Sequence, residues 1–387
     1  MKAVLETFLI FLRLGVTSFG GPVAHIAYFR EAFVVRRRWL NEEAYGALVG
    51  FCQFLPGPSS SQVAMGLGLQ RAGYGGLLAA FAGFTLPSAA LMILFALLLD
   101  AGVARAPWTH GLKLAAAAIV AQALWSMART LTPDAPRLAM AALAAALALL
   151  APGAVGQIAA IALGAGLGAL IVRPAAGAPE EALRAPRHLA RAPWLLAAFC
   201  LLLAGLPLLA ARYPGLALFD IFYRTGALVF GGGHVVLPLL QQALVTPGWI
   251  DAAPFLAGYG AAQAVPGPLF SFAAFLGAKI GGMGTALLCL LAIYLPSLLL
   301  VAGGWPLWRR VAHHAALRAA LAGINAAVVG LLAAALWSPV LTEAIRSVSD
   351  MAIAGTALLL LWRARAPSWA VVGFCALMAA ILAAWLR

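Results

Sequence analysis

Acidic residues are scarce: Asp and Glu together number 12 in 387 residues, and charged residues of both signs make up only 10%, against roughly a quarter in an ordinary soluble domain. So thin a polar inventory excludes a water-soluble globule. It also excludes a cation pathway of the usual kind, because the deep apolar segments hold almost no carboxylate ligands; Glu6 and Asp220 come nearest. Cysteine is nearly absent too. Cys52, Cys200, Cys289 and Cys375 lie far apart inside apolar runs, without the Cys-x-x-Cys spacing that gathers thiolates around a metal. They read as small core hydrophobes, and no metal or other cofactor is implied. A removable signal peptide is not expected, since Glu6 and Arg13 interrupt the first apolar run and no small-residue cleavage site follows.

What the chain has in abundance is apolar sequence, 64% of it. Crossing a bilayer takes about 20 apolar residues per helix, and such runs recur from end to end, separated by short gaps bearing Arg or Pro. The fold class is therefore an all-α polytopic membrane protein, with the lipid bilayer as its first partner. Lys and Arg number 25 and the formal charge is +13, but too little polar surface remains for a nucleic-acid patch. The basic excess belongs to membrane topology instead.

Self-comparison shows an internal repeat. Arg13 to Gly21 aligns with Arg224 to Gly232 at an offset of 211, pairing Phe19-Gly20-Gly21 with Phe230-Gly231-Gly232. Gln53 to Pro58 aligns with Gln263 to Pro268 at 210, and Leu86-Pro87-Ser88 with Leu295-Pro296-Ser297 at 209. Two related halves follow, 1–172 and 212–387, joined by a Pro- and Arg-bearing linker at 173–193 and one extra crossing at 194–211. A single unpaired crossing turns the second half upside down. Arginine placement agrees, since Lys and Arg mark the cytoplasmic side. Arg36-Arg37-Arg38 stands where the second half has Ile250-Asp251, and the neutral loop after Asp100 corresponds to the one holding Arg309 and Arg310.

On this reading full crossings span 75–99, 108–128, 137–151, 155–172, 194–211, 284–304, 315–337, 350–362 and 368–386. Each half adds two hairpins broken at Gly or Pro, 4–19 with 23–35 and 44–55 with 59–70, then 212–230 with 234–246 and 255–265 with 268–280. Broken helices at membrane depth persist only where they are buried in protein or line a wet cavity.

A half-helix that starts inside the membrane presents unpaired N–H groups and the positive end of its dipole, and both favour an anion. Gly57 and the first turn Ser59, Ser60, Ser61 and Gln62 form one such start, with Pro58 suited to a position that needs no N–H. Gly267 and Ser271 form the other. Gly20, Gly21, Gly231, Gly232 and Gly233 let backbone approach a ligand, with Ser18, His25 and His234 nearby. Arg13 and Arg224 hold matched intramembrane positions, and Lys279 ends the last hairpin; such cations are costly enough to be functional by default. The alternative is structural: Arg13 pairing with Glu6, Arg224 with Asp220, glycines serving close packing, and the serines bonding back to the preceding turn.

These motifs resemble the chromate ion transporter family in its long two-domain form. The resemblance rests on Phe19-Gly20-Gly21-Pro22, Phe54-Leu55-Pro56-Gly57-Pro58, Gly73-Tyr74-Gly75-Gly76, Leu86-Pro87, Phe230 to His234 and Val265 to Pro268. It implies a bacterial inner-membrane transporter that exports chromate, a tetrahedral dianion, and so confers chromate resistance. Sulfate or another oxyanion stays open as substrate, and a homodimer as the assembly. From another class, Ser59 to Ser61 with His25 offers the nucleophile and base of an intramembrane serine hydrolase, although no third orienting residue is evident.

Overall fold

The computed structural model describes residues 1–100, 106–151, 154–173, 192–230, 233–304, 308 and 314–385. Gly231, Gly232, Arg309, Arg310 and nearly all of the linker expected at 173–193 lie outside the described residues. Regular structure among the described residues is helical throughout, and six helices are long and apolar enough to cross a membrane.

The first half opens with α1 (Lys2–Thr17) and α2 (Gly21–Arg30), the latter continuing as a π-helix to Arg36. Next come α3 (Glu42–Phe54) and α4 (Ser59–Asp100). Asn41 starts α3 by accepting the Ala44 N–H at 2.9 Å, the usual N-cap bond. α4 is two limbs in sequence, because Ala72 and Gly73 leave helical geometry and Gly73 takes φ +63°. The second half repeats the pattern with α9 (Ala217–Leu228), α10 (Val236–Leu240), α11 (Ala252–Ala262) and α12 (Phe272–Gly303), which folds back at Gly281 and Gly282. The expected breaks therefore stand within a few residues of their predicted places.

Between and after these lie α5 (Trp108–Leu131), α6 (Ala135–Leu150), α7 (Ala154–Ile171), α8 (Ala192–Arg212), α13 (Ala315–Ala335), α14 (Val348–Trp362) and α15 (Ser368–Trp385). α8 buries only 6% of its most apolar stretch, the least of the six spanning-length helices. Cys200 on α8 is exposed while Cys52, Cys289 and Cys375 are buried. The core reading of the cysteines is corrected there, since an exposed side chain packs into no core.

Glycine sets how closely these helices approach. A Cβ at Gly15 would lie 2.8 Å from the carbonyl oxygens of Gly83 and Phe84, and one at Gly226 would overlap the Ile293 carbonyl. α1 thus presses on the second limb of α4 as α9 presses on that of α12. Close van der Waals packing of this kind, rather than hydrophobic transfer, is what holds helices together in lipid.

The second limbs of α4 and α12 run antiparallel. Asp100 at the end of α4 is ion-paired to Lys279, just before the turn that starts the second limb of α12. Further along, Phe81 packs on Tyr294 with ring centroids 5.0 Å apart.

Candidate anion site at the four helix breaks

The four breaks meet. The Gly57 N–H donates to the Val229 carbonyl at 2.7 Å, and the Gly267 N–H donates to the Ser18 carbonyl at 2.9 Å. These bonds join equivalent positions in exchanged order: each Pro-Gly-Pro loop docks on the broken first hairpin of the other half. Gly57 takes φ +125° and Gly267 φ +96°, a region that costs residues with a Cβ about 1–2 kcal/mol, so glycine is what lets these N–H groups reach across. The Leu-Pro-Ser segments close the ring. A Cβ at Gly57 would overlap Ser297 Oγ, and one at Gly267 would come within 3.0 Å of Ser88 Oγ.

The first limb of α4 begins at this convergence. Gln62 there donates through Nε2 to the Pro56 carbonyl at 2.7 Å and to Ser297 Oγ at 3.2 Å. Ser60, Ser61 and Gln62 are all buried. The Tyr294 hydroxyl faces those of Ser61 and Thr85, yet none of the three, nor Ser18 Oγ or Gln62 Oε1, has a hydrogen-bond partner of good geometry among the described residues. Buried polar atoms are nearly always bonded, so each exception needs an explanation. Four of the five are hydroxyls, which can donate to an acceptor-rich guest, while Gln62 Oε1 is a carbonyl oxygen that only accepts.

His25 is buried against the same break. Its Nε2 lies 3.2 Å from the Ser18 carbonyl and its Nδ1 3.4 Å from Ser60 Oγ. Bonding a carbonyl requires the proton on Nε2, which leaves Nδ1 to accept from Ser60. The serine and histidine weighed for a hydrolase thus come together at a long distance. The second ring nitrogen is held by a backbone carbonyl, where a triad places a carboxylate.

Of the other proposed residues, Arg13, Arg224 and Lys279 line clefts or make ion pairs of their own, while Gly20, Gly21, Gly233, His234 and Ser271 lie in or next to the break segments. Arg13 is exposed on α1 and lines a cleft of its own with Arg36 and Arg37. The expected Arg13–Glu6 pair is not formed, because Glu6 is bonded to Arg71 at 3.1 Å. Arg224 donates through Nε to Asp220 Oδ1 at 2.8 Å, the structural alternative named above. Lys279 is spent on Asp100, at the far end of a helical limb that begins near Gly267. Ser271 gives its hydroxyl back to the Pro268 carbonyl at 2.9 Å, and His234 Nδ1 bonds the Tyr259 hydroxyl at 2.8 Å. Gly20 and Gly21 take φ +102° and +76° at the first break, and Gly233 faces Pro22 across the interface, its would-be Cβ 3.7 Å from Pro22 Cγ.

Sequence reasoning passed over Thr85, Ser88, Tyr294 and Ser297. The signal was present: Leu-Pro-Ser recurs in both halves, and Tyr294 stands where the first half has Thr85, one residue before it.

Comparison with known proteins now places the molecule. The chromate transporter family matches residues 5–169 and 216–381. The chain belongs to that family. It is 29% identical to the chromate transport protein of Pseudomonas aeruginosa, over 98% of this chain and 92% of that one. It is 27% identical to the chromate transport protein of Cupriavidus metallidurans, over 90% and 84% of the two chains. An uncharacterised transporter of Methanocaldococcus jannaschii is also 27% identical, over 86% and 83%. No solved structure matches. As a chromate transporter family member with six apolar helices of spanning length, the protein is a multi-pass membrane protein.

Proposed function

We propose that this protein exports chromate across the cytoplasmic membrane of a bacterium, giving chromate resistance, and that the convergence of the four breaks is where the anion is held. The observation that carries this reading is the exchanged pair of bonds, Gly57 to Val229 and Gly267 to Ser18, beside the buried hydroxyls of Ser61, Thr85 and Tyr294, which face one another without bonds of good geometry. Chromate is a tetrahedral dianion made of acceptors. The N-terminus of the first limb of α4 supplies partial positive charge and free N–H groups, and Ser61, Thr85 and Tyr294 supply hydroxyl donors.

Two matched family segments, reciprocal bonding and antiparallel second limbs support two inverted halves. Such halves rocking about a central site give alternating access. Direction follows from the membrane potential: a dianion leaving a cytoplasm at about −100 mV gains roughly 4.6 kcal/mol, so export proceeds without a coupled ion, whereas uptake needs one.

The test is flux of chromate and of sulfate through purified protein in liposomes. Saturable chromate flux, lost in Ser61→Ala combined with Tyr294→Phe, is expected. Absence of flux of either anion overturns the reading, and flux of sulfate alone overturns the assignment to chromate. Hydrolysis of a substrate by liposomes that carry no anion would favour the serine hydrolase.

A further inference from the structure

A cavity of about 240 Å³ lies between α1 and α2, lined by Arg13, Thr17, Tyr28, Glu31, Arg36 and Arg37 among others. We propose that this cleft is an entry site that captures a tetrahedral oxyanion on the side of the Arg36 loop and passes it to the helix breaks, with Arg13 as its principal ligand. The inference rests on the transport reading above.

The charge balance points to an anion. Three guanidinium groups share one carboxylate, Glu31, which is already taken by Arg36 Nε at 2.8 Å. Arg37 donates to the Ala32 carbonyl at 3.3 Å and stands over the Phe33 ring at 6.0 Å. No carboxylate pairs with Arg13 among the described residues, its nearest acidic neighbour in sequence being bound to Arg71. A guanidinium without a counter-charge is open to an anion, and its planar fork is suited to two oxygens of an oxyanion at once.

Position points the same way. Arg36 and Arg37 stand at the mouth, at the end of α2, on the side that the positive-inside rule assigns to the cytoplasm. Arg13 lies deeper, one turn before Thr17, and the next residue is Ser18, whose carbonyl accepts the Gly267 N–H. The lining therefore runs from a basic rim to Thr17, the residue before Ser18. A graded positive field of this kind raises the local concentration of an anion and its rate of arrival.

The equivalent place in the second half lacks these properties. There Arg224 lines a cavity of only about 60 Å³, bounded by Gln157 and Gln242, and is held by Asp220. Leu9 occupies the first-half position equivalent to Asp220, and Glu31 that of Gln242. Net positive charge is thus confined to one of two equivalent clefts, so capture works from one side of the membrane.

The experiment measures chromate uptake into inside-out membrane vesicles and equilibrium chromate binding to the full chain in phosphatidylcholine nanodiscs. Arg13→Gln is expected to raise the half-saturating concentration about tenfold while the maximal rate falls less than about threefold. Arg13→Lys should recover part of that shift, and Arg36→Gln with Arg37→Gln should slow arrival most at low ionic strength. An unchanged half-saturation in Arg13→Gln, with wild-type transport intact, overturns the entry site and leaves the transport reading standing. Absence of transport by the wild type fells both. Should Arg13→Gln fail to fold, the lysine variant and the rim pair carry the same test. The rival occupant with the same chemistry is a lipid phosphate. If phosphatidylglycerol added to the nanodiscs weakens chromate binding to wild type as much as Arg13→Gln does, and leaves that variant unaffected, a headgroup fills the cleft and the proposal is overturned.

Discussion

The cleft beside Arg13 and the cleft beside Arg224 occupy equivalent places in the two halves, and they differ in every respect that governs charge. Around Arg224, Asp220 sits one helical turn away and Gln157 of α7 closes the space. Around Arg13, Leu9 stands in that acidic position and the space stays open to Arg36 and Arg37. The same kind of helix pair occurs in both places. Arg224 is paired with Asp220, whereas the one carboxylate in the cleft of Arg13, Glu31, is bonded to Arg36. By contrast the breaks themselves have stayed alike, each Pro-Gly-Pro loop bonding the other half in the same way.

The sharpest way to break this comparison is to remove each arginine. Arg224→Gln strands Asp220, which is only 3% exposed. The Arg224 side chain is 30% exposed, so the loss falls between that of an exposed pair, at most about 1 kcal/mol, and that of a fully buried one, about 3–5 kcal/mol, and a fall in the thermal unfolding temperature in detergent is expected. Arg13→Gln leaves no buried charge behind and should change stability by less than about 0.5 kcal/mol. Equal destabilisation by the two substitutions would erase the distinction drawn here.

The similarity of the breaks is tested by Gly57→Ala and Gly267→Ala. Both positions have positive φ, a strain of about 1–3 kcal/mol for alanine, and chromate flux should collapse in both. Gly57→Ala should be the worse, since its new methyl overlaps Ser297 Oγ and Gln62 Nε2, whereas that of Gly267→Ala stays 3.0 Å from Ser88 Oγ.

A smaller effect is expected at the hydroxyls. Tyr294→Phe removes a group with no partner of good geometry, so the unfolding temperature should hold while flux falls about tenfold, the worth of one hydrogen bond to a charged group. A fall in stability with unchanged flux would make Tyr294 a packing residue. Smallest of all is Glu6→Gln. Its ion pair with Arg71 is well exposed, at 47% and 40%, and such pairs contribute at most about 1 kcal/mol, detectable only at low salt.

Much of this was legible in the sequence wherever the cause is local. Pro56, Gly57 and Pro58 stop and restart a helix by their own backbone chemistry, and so do Gly20 and Gly21; their breaks fall where expected. The Arg224–Asp220 pair was legible for the same reason, being four residues apart on one helix face. Long-range partners were not. Glu6 has Lys2 four residues before it on the same helix yet turns to Arg71, 65 residues away, a choice that depends on how α1 packs against α4. Likewise, nothing near Gly57 says that its N–H will find Val229. Tyr294 and Thr85 escaped notice because single polar groups in apolar runs usually bond their own helix, and only the packing of α4 against α12 leaves these two facing each other.

The central claim is that the breaks gather around an anion. The direct test is a chromium anomalous difference map from crystals of the protein soaked in chromate. The account predicts a peak within hydrogen-bonding distance of the first turn of α4 and the Tyr294 hydroxyl. A peak confined to the surface beside Lys279 and Asp100, with those hydroxyls closed on one another, would contradict it.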